Sequence, residues 1–260
     1  MQYKVIDVHT HIWPEKLAER AVNHVGNYYS YEMHGKGTLA DLKESTSGAG
    51  VEYFVIHSSA LKASQVEDVN TTAASHITEK IAGFGTLHPE YADFEKEINR
   101  IISLGLKGIK LHPDFQKFNI DDEVAEKFYR AVGSRLPILF HVGDDRYDYS
   151  KPHRLVKMAK KYPEVNFIAA HFGGYRCWAD SEIYLGLDNV YFDTCSSLPF
   201  ISTERAKELI DMHGADRFFF ATDFPMWDTV AELERFNKIP LTDEEREMIF
   251  SKNIKKLLKI

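Results

Sequence analysis

The first apolar run of the chain reads Val5-Ile6-Asp7-Val8-His9-Thr10-His11 and ends in two histidines separated by one residue. Alternate residues of a strand project to the same side, so His9 and His11 can direct two imidazoles at one point. A divalent metal accepts imidazole ligands in such an arrangement. By itself the pair is weak evidence, because two histidines at the exposed end of a strand need not bind anything.

Four later apolar runs also end in residues that can bind a metal or take part in catalysis. They are Gly108-Ile109-Lys110-Leu111-His112, Ile138-Leu139-Phe140-His141, Phe167-Ile168-Ala169-Ala170-His171 and Phe218-Phe219-Phe220-Ala221-Thr222-Asp223. In each run the polar group stands at the C-terminal end. This recurrence strengthens the interpretation of His9 and His11 as half of a metal site.

Eight short runs rich in β-branched or aromatic residues predict strands near residues 4–9, 53–58, 81–87, 106–111, 137–142, 166–171, 190–194 and 217–222. Apolar residues at three- and four-residue spacing predict helices over residues 39–49, 66–80, 94–104, 124–134, 153–162 and 205–213. Two local signals support helix starts: Ser150-Lys151-Pro152 offers a cap followed by an early proline, and Thr242-Asp243-Glu244-Glu245 is typical of a capping box.

Strands that alternate with helices over 260 residues predict an α/β fold, specifically a single-domain (β/α)8 TIM barrel over residues 1–260. An open doubly wound sheet is the alternative, but the first βα turn lacks the glycine-rich phosphate fingerprint. A barrel places its active site at the C-terminal ends of the strands. The polar residues that end the apolar runs should therefore converge.

Composition narrows the functional classes. A formal charge of -7 without a basic stripe argues against nucleic acid as a partner. The sequence has two cysteines, no basic-then-apolar signal segment and no apolar stretch of the roughly 20 residues that a bilayer span needs. We therefore expect a reduced, cytoplasmic protein that acts on a small molecule, independent of membranes, with a homo-oligomer left open.

The quoted motifs together resemble the amidohydrolase superfamily, and within it the amidohydrolase-related (amidohydrolase 2) branch of metal-dependent hydrolases and decarboxylases. The resemblance extends over nearly the whole chain, including Asn253-Ile254-Lys255-Lys256-Leu257-Leu258 at its end. Each motif is ordinary alone, but five in the right order are specific.

This resemblance implies that four residues bind a divalent metal: His9, His11, His141 and Asp223. It also implies that His171 stands beside the metal. Three neutral imidazoles and a carboxylate suit zinc and several other divalent ions, and we expect zinc, with one or two ions bound. Asp223 and His171 are the candidate catalytic residues, Asp223 as the base for metal-activated water and His171 as a polarising or proton-shuttling group.

Four further residues are candidates for substrate binding or for a second metal. In dinuclear members of the superfamily a lysine at the position of Lys110 can be carbamylated and bridge two metals, whereas in mononuclear relatives a basic residue there contacts the substrate. Alternation puts His112 on the same side of the strand as Lys110. Arg146 and Arg176 follow strands five and six, where a guanidinium could grip a substrate carboxylate or pair with a neighbouring acid.

Other residues carry less information. His57 and His88 follow strands two and three, and either lines the pocket or is an ordinary rim histidine. Several aromatic residues that follow metal-site strands either cover the pocket or simply pack: Trp13, Tyr28, Tyr29, Tyr31 and Trp227. No partner in the sequence marks Cys195 as a nucleophile.

Three functional hypotheses follow. The first is a metal-dependent hydrolase of a small, carboxylate-bearing amide, lactone or ester. The second is a nonoxidative decarboxylase, a carbon-carbon lyase with the same metal site, and the third is a barrel that only binds a ligand. The full ligand set disfavours the third, and the compact chain favours the hydrolase over the decarboxylase.

Overall fold

The structure, a computed structural model, describes residues 3–260. Within this range eight strands follow one another along the chain: Val5–His11 (β1), Val51–His57 (β2), Ile81–Gly83 (β3), Ile109–Leu111 (β4), Ile138–Phe140 (β5), Phe167–Ala169 (β6), Val190–Asp193 (β7) and Phe218–Phe219 (β8). Each predicted strand is confirmed, although several are shorter than their apolar runs.

All strand pairs are parallel, and they form two segments, β1-β2-β3 and β4-β5-β6-β7-β8. The isolated bridge between Gly85 and Ile109 joins β3 to β4, and the bridge between Thr10 and Phe224 joins β1 to the chain after β8. Because consecutive strands are neighbours around a closed circuit, the architecture is the predicted (β/α)8 barrel and not an open doubly wound sheet.

The α-helices of the described residues are Glu15–Tyr29 (α1), Leu39–Ser45 (α2), Val66–Ser75 (α3), Phe94–Ser103 (α4), Pro113–Gln116 (α5), Glu123–Val132 (α6), Pro152–Lys161 (α7), Thr203–His213 (α8), Thr229–Asn237 (α9), Asp243–Glu247 (α10) and Asn253–Leu258 (α11). Short 3-10 helices lie at Ala63–Gln65, Trp178–Tyr184 and Ala215–Arg217, and a π-helical turn spans Met248–Lys252. None of the helices in the described part of the chain is long and apolar enough to cross a bilayer.

Apolar spacing predicts six of these helices but misses α1, which occupies the long connection after β1. Its buried residues, Ala18, Val22 and Gly26, form a narrow stripe one helical turn apart, so the four-residue spacing typical of a helix is present in the sequence. The missed helix covers one side of the functional cavity.

Of the two helix starts that the sequence signals predict, one is confirmed in full and the other only in part. Thr242 and Glu245 form the predicted capping box at the start of α10. Pro152 occupies the first turn of α7 as expected, but the cap prediction is wrong, because the cap position is Lys151 and makes no side-chain hydrogen bond. Ser150 instead donates its hydroxyl to Asp114 Oδ2 at 2.6 Å.

The barrel interior is packed by inward-facing side chains of the strands, among them Ile6, Val8, Leu139 and Phe219. Helix α11 closes the end where the strands begin: Ile254 joins this cluster, and the neighbouring Asn253 amide donates to the carbonyls of Ala215 and Phe218. With one end closed, the functional cavity lies at the other end, where the strands finish.

Candidate metal centre and cavity

An irregular register in β1 brings both of its histidines to the cavity. Ile6 and Val8 fill the barrel interior, so strict alternation would send His9 outward. The pairing of β1 with β2 shifts between Asp7 and Thr10, and such a bulge redirects the following side chain. The expectation that His9 and His11 reach one point is met by this bulge rather than by alternation alone.

Three donor atoms converge at the C-terminal ends of β1 and β8. His9 Nε2 lies 3.2 Å from His11 Nε2, and Asp223 Oδ1 lies 3.4 Å from the first nitrogen and 3.3 Å from the second. Ligands about 2.1 Å from a tetrahedral ion are about 3.4 Å apart. The triangle therefore has the size that a divalent ion requires, and its two nitrogens and one oxygen suit zinc, manganese and similar ions.

The orientation of His9 is fixed by a residue that the sequence interpretation missed. Its Nδ1 lies 2.7 Å from Asp193 Oδ2, at the end of β7, which leaves Nε2 free to bind the ion, as in carboxylate-histidine-metal arrangements. Burial opposes ionisation of Asp193, but the adjacent His9 holds its pKa at about 2. The sequence carries the same signal here as on the other strands, because Asp193 ends the apolar run Val190-Tyr191-Phe192.

Burial keeps the imidazoles of the site in their neutral, metal-binding form. It lowers the pKa of His9 to about 4 and that of His11 below its ordinary value, with nearby Lys110 contributing in the same direction. Burial alone would raise the pKa of Asp223, yet the neighbouring imidazoles hold it well below its usual range. At neutral pH the triangle therefore offers two neutral nitrogens and a carboxylate.

His141 and His171, which follow β5 and β6, line the same cavity and pair with each other, and the His171 ring lies beside that of His9, with centroids 5.4 Å apart. His141 Nδ1 is 2.9 Å from His171 Nε2, and His141 Nε2 is 2.8 Å from the carbonyl oxygen of Gly143. The structure brings His141 to the cavity but does not join it to the triangle of donor atoms. Its predicted role as a ligand stays a prediction.

Backbone strain accompanies the site. His171, Ser196 and Asp223 have positive φ angles of 64°, 51° and 61°, a conformation that costs a residue with a Cβ roughly 1 to 2 kcal/mol. The Ser196 hydroxyl donates to Asp223 Oδ2, while Asp223 Oδ1 faces the histidines. The strained turn after β8 thus aims one carboxylate oxygen at the triangle and fixes the other.

Lys110 is fully buried, and its Nζ lies 3.1 Å from His9 Nε2. Burial lowers its pKa. His112 stacks on His141 with ring centroids 4.1 Å apart and lies 3.1 Å from the Tyr29 hydroxyl. Both residues line the cavity, in agreement with their predicted place at the end of β4.

The two predicted arginines do not line the cavity. Arg146 Nη2 lies 2.7 Å from Asp144 Oδ2, and the guanidinium stacks over the Tyr28 ring at 4.1 Å. Arg176 stacks over Phe200 at 4.0 Å and donates to the hydroxyl of Tyr31. Both guanidiniums hold the C-terminal end of α1 against the loops that follow β5 and β6.

The cavity has a volume of about 720 Å³ and extends from the triangle outward between α1 and α3. Its lining includes the predicted Trp13 and Tyr29 and cationic groups at its outer end, Arg20 and Lys62. Tyr28, Tyr31 and Trp227 pack outside the lining. Burial raises the pKa of Cys195 well above its ordinary value, so this buried thiol is a poor nucleophile.

The chain is thus a closed (β/α)8 barrel that has a triangle of donor atoms of metal-binding size beside a cavity at the C-terminal ends of its strands. Residues 6–260 match the amidohydrolase family (Amidohydro_2), and the chain belongs to that family. No match to a curated protein was found.

Solved structures with similar coordinates share the fold at low sequence identity. An uncharacterised TIM-barrel protein from Bordetella bronchiseptica is 19% identical with a TM-score of 0.80, covering 98% of each chain. A dihydroxybenzoic acid decarboxylase from Polaromonas with bound manganese and the inhibitor 2-nitroresorcinol is 16% identical with a TM-score of 0.76, covering 99% of this chain and 97% of the other. A probable 2-pyrone-4,6-dicarboxylic acid hydrolase from Acinetobacter baumannii is 15% identical with a TM-score of 0.72, covering all of both chains.

Proposed function

We propose that this protein is a metal-dependent hydrolase of a small, carboxylate-bearing amide, lactone or ester. The observation that carries the proposal is the triangle of His9 Nε2, His11 Nε2 and Asp223 Oδ1, with sides of 3.2 to 3.4 Å, at the inner end of a 720 Å³ cavity. A site of this size and chemistry suits one divalent ion and leaves room beside it for a substrate.

In this proposal His9, His11 and Asp223 hold the ion, and His141 is the expected fourth ligand. A divalent ion bound there acidifies water and polarises a carbonyl oxygen. Zinc fits the two imidazoles, and manganese, which the Polaromonas decarboxylase binds, also accepts nitrogen and carboxylate ligands. The donor set therefore supports a divalent ion, and we propose zinc.

Asp223 and His171, which both line the cavity, have separate roles in the reaction. Asp223 stays ionised at neutral pH because imidazoles surround it, so it can accept the proton of the attacking water. His171 is neutral, because burial lowers its pKa, so its N–H can polarise the electrophile by hydrogen bonding, while the proton that Asp223 accepts passes to the leaving group. His141 Nδ1, 2.9 Å from His171 Nε2, sets the ring orientation.

Lys110 is the cation that we assign to the substrate carboxylate. Its ammonium group is buried at the inner end of the cavity, where an anion would compensate the cost of burying a charge. This replaces the expectation that Arg146 and Arg176 supply the grip, since both guanidiniums have partners within the chain. A carbamylated Lys110 that bridges two ions is the competing proposal for this residue.

A decarboxylase with the same metal residues is the second candidate. The compact chain favoured the hydrolase, but the chain covers 97% of the Polaromonas decarboxylase and 99% of a 5-carboxyvanillate decarboxylase. Chain length therefore does not separate the two reactions. Both need a Lewis-acid metal and an adjacent acid or base.

Product analysis in labelled water distinguishes the candidates. The metal-loaded protein is incubated with 2-pyrone-4,6-dicarboxylate and with 2,6-dihydroxybenzoate in H₂¹⁸O and, separately, in D₂O. Hydrolysis places ¹⁸O in a product carboxylate, whereas decarboxylation releases carbon dioxide and places deuterium on carbon. The double variant of His9→Ala and His11→Ala is the control. We expect ¹⁸O incorporation that depends on the metal; carbon dioxide with deuterated product would contradict hydrolysis and support the lyase.

A further inference from the structure

The outer half of the cavity lies between one face of α1 and one face of α3, and the metal site described above does not use it. The α1 residues that line the cavity recur at three- and four-residue spacing: Leu17, Arg20, Ala21, His24 and Val25. The lining residues of α3 follow the same spacing: Asp68, Val69, Thr72 and Ala73. Residues at this spacing share one face of a helix, so each helix presents one continuous face to the cavity.

The cavity is larger than the reaction centre alone requires. Its volume of about 720 Å³ falls within the range of about 300 to 1,000 Å³ that holds drug-sized ligands, and a single-ring acid at the metal fills only its inner part. Small or apolar side chains form the middle of both helix faces: Ala21, Val25, Val69 and Ala73. At the mouth, Leu17 and Leu61 line the cavity and stay 47% and 43% exposed. These walls suit an apolar segment that extends outward from the reacting group.

Arg20, at the outer end of the cavity, has a guanidinium without an ion pair or a hydrogen bond among residues 3–260. Every other arginine in this range has such a partner within the chain. An exposed arginine that no acid of the chain neutralises can hold a carboxylate by two parallel hydrogen bonds.

The charges at the outer end of the cavity favour an anion. Lys62 lines this end together with Arg20 and likewise has no ion pair among the described residues. Asp68 is the one carboxylate in the lining of the cavity besides Asp223. Two cations beside one carboxylate give the outer end a net positive charge, although the whole chain has a formal charge of -7. Such a local field attracts an anionic group into the mouth of the cavity.

We propose that the substrate carries a second carboxylate, separated from the reacting carbonyl by an apolar segment, and that Arg20 and Lys62 bind this outer carboxylate. The inference rests on the proposed function and extends it, because Lys110 is assigned to the carboxylate near the metal. The substrate class is then an elongated dicarboxylate. Its apolar segment lies between the facing sides of α1 and α3.

Hydroxamates test this inference, because a hydroxamate group chelates a divalent ion and anchors one end of the probe at the metal. The monohydroxamates of straight-chain dicarboxylic acids, from succinic to sebacic acid, have an outer carboxylate. Alkanohydroxamates and ω-aminoalkanohydroxamates of matching length have an outer methyl group and an outer ammonium group instead.

Titration calorimetry measures the binding of all three series to full-length protein incubated with Zn²⁺. The proteins are the wild type, Arg20→Gln, Lys62→Gln and the double variant of His9→Ala and His11→Ala. Lys16→Gln is the matched control, because Lys16 is an exposed cation of α1 that does not line the cavity. Circular dichroism verifies folding.

We expect the wild type to bind the longer carboxylate probes about tenfold more tightly than the methyl probes of the same length, the lower value for a hydrogen bond to a charged group. Arg20→Gln should remove most of this preference and Lys62→Gln part of it. Lys16→Gln should keep the preference, and the methyl probes should bind these three variants as tightly as the wild type.

Two results would overturn the inference and leave the metal site in place. One is the absence of a carboxylate preference at every chain length, or a preference that Arg20→Gln leaves unchanged. The other is tighter binding of the ammonium probes than of the carboxylate probes, which would assign the outer end to a cation. Hydroxamate binding that is as tight in the double variant of His9 and His11 as in the wild type would contradict the proposed metal site, and this inference with it.

Discussion

The two sides of the cavity use the same residue type differently. On the β8-β1 side, two histidine nitrogens and a carboxylate oxygen approach one another at 3.2 to 3.4 Å. On the β5-β6 side, the His141 and His171 rings contact each other and the backbone. Neutral imidazoles that converge with free lone pairs suit a metal, whereas imidazoles in a hydrogen-bonded pair suit proton transfer.

This difference depends on which group contacts the other ring nitrogen of each histidine, and not on the histidines themselves. Asp193 occupies the Nδ1 atom of His9 and turns Nε2 toward the cavity, where it lies 3.1 Å from Lys110 Nζ. The Gly143 carbonyl occupies Nε2 of His141 instead. Since each neutral imidazole has one donor and one acceptor nitrogen, the partner of one nitrogen decides what the other can bind.

The largest effect is expected from removing the metal side. The double variant of His9→Ala and His11→Ala should lose metal binding and activity while the barrel stays folded, because residues at the C-terminal rim are not part of the core. Elemental analysis and circular dichroism test this. Full metal occupancy in the double variant would contradict the assignment of the site.

Variants of His171 and of Asp223 separate the effect of losing a metal ligand from the effect of losing a group that acts on the substrate. His171→Asn should keep metal occupancy and lose roughly 100-fold or more in turnover. Asp223→Asn should lower both turnover and metal affinity, because an amide oxygen is a poorer ligand and a much weaker base than a carboxylate. Occupancy and turnover are measured on both variants. The assignments are contradicted if His171→Asn abolishes metal binding while Asp223→Asn changes neither metal occupancy nor turnover.

A second buried carboxylate shows what the imidazoles do for Asp223. Burial raises the pKa of Glu232 to about 7, although Arg235 opposes this. A folded-state pKa above the unfolded value of about 4.3 adds stability that is complete below that value and lost as pH rises through the folded pKa.

We therefore expect the free energy of unfolding of the wild type to fall by about 2 kcal/mol relative to Glu232→Gln between about pH 5.5 and about pH 8. Urea denaturation at both pH values measures this difference. The same pH dependence in both proteins would show that Glu232 does not titrate in this range.

The β5-β6 side is bordered by the hydroxyl of Tyr29, 3.1 Å from His112 Nε2 and 3.5 Å from His141 Nε2. Burial raises its pKa well above the ordinary value, so the hydroxyl stays a donor. Tyr29→Phe should lower kcat/KM by about tenfold or less, the value of one hydrogen bond, with metal affinity unchanged. A fall in metal affinity would place Tyr29 with the metal residues instead.

The smallest effect on turnover is expected from the arginines outside the cavity. Arg146→Ala removes the half-exposed partner of the buried Asp144 carboxylate, which destabilises the fold locally because a buried charge is left unpaired, and should loosen the end of α1. Hydrogen exchange in residues 26–31 reports this, while KM should change little. Arg176→Ala is the matched variant. A large rise in KM in either variant, with unchanged hydrogen exchange, would restore the predicted grip on a substrate carboxylate.

The local pattern of apolar and polar residues was sufficient to predict most of the strands and helices. The eight apolar runs predict the strands because a buried parallel strand needs a continuous run of apolar residues. Helix α1 was missed although its buried residues recur at helical spacing. The start of α7 was partly misread because Ser150 bonds to Asp114 across the loop, a partner distant in sequence.

The sequence by itself determined the barrel, the family and the ring of polar residues at the C-terminal ends of the strands, because these depend on the order and spacing of residue types. Only the tertiary structure decided which of those residues meet. The β1 bulge turned His9 into the cavity, Asp193 from β7 fixed its tautomer, and Asp144 withdrew Arg146 from the cavity. Such outcomes depend on distances of a few ångströms between residues far apart in the chain, and the spacing of residues within a segment carries no information about them.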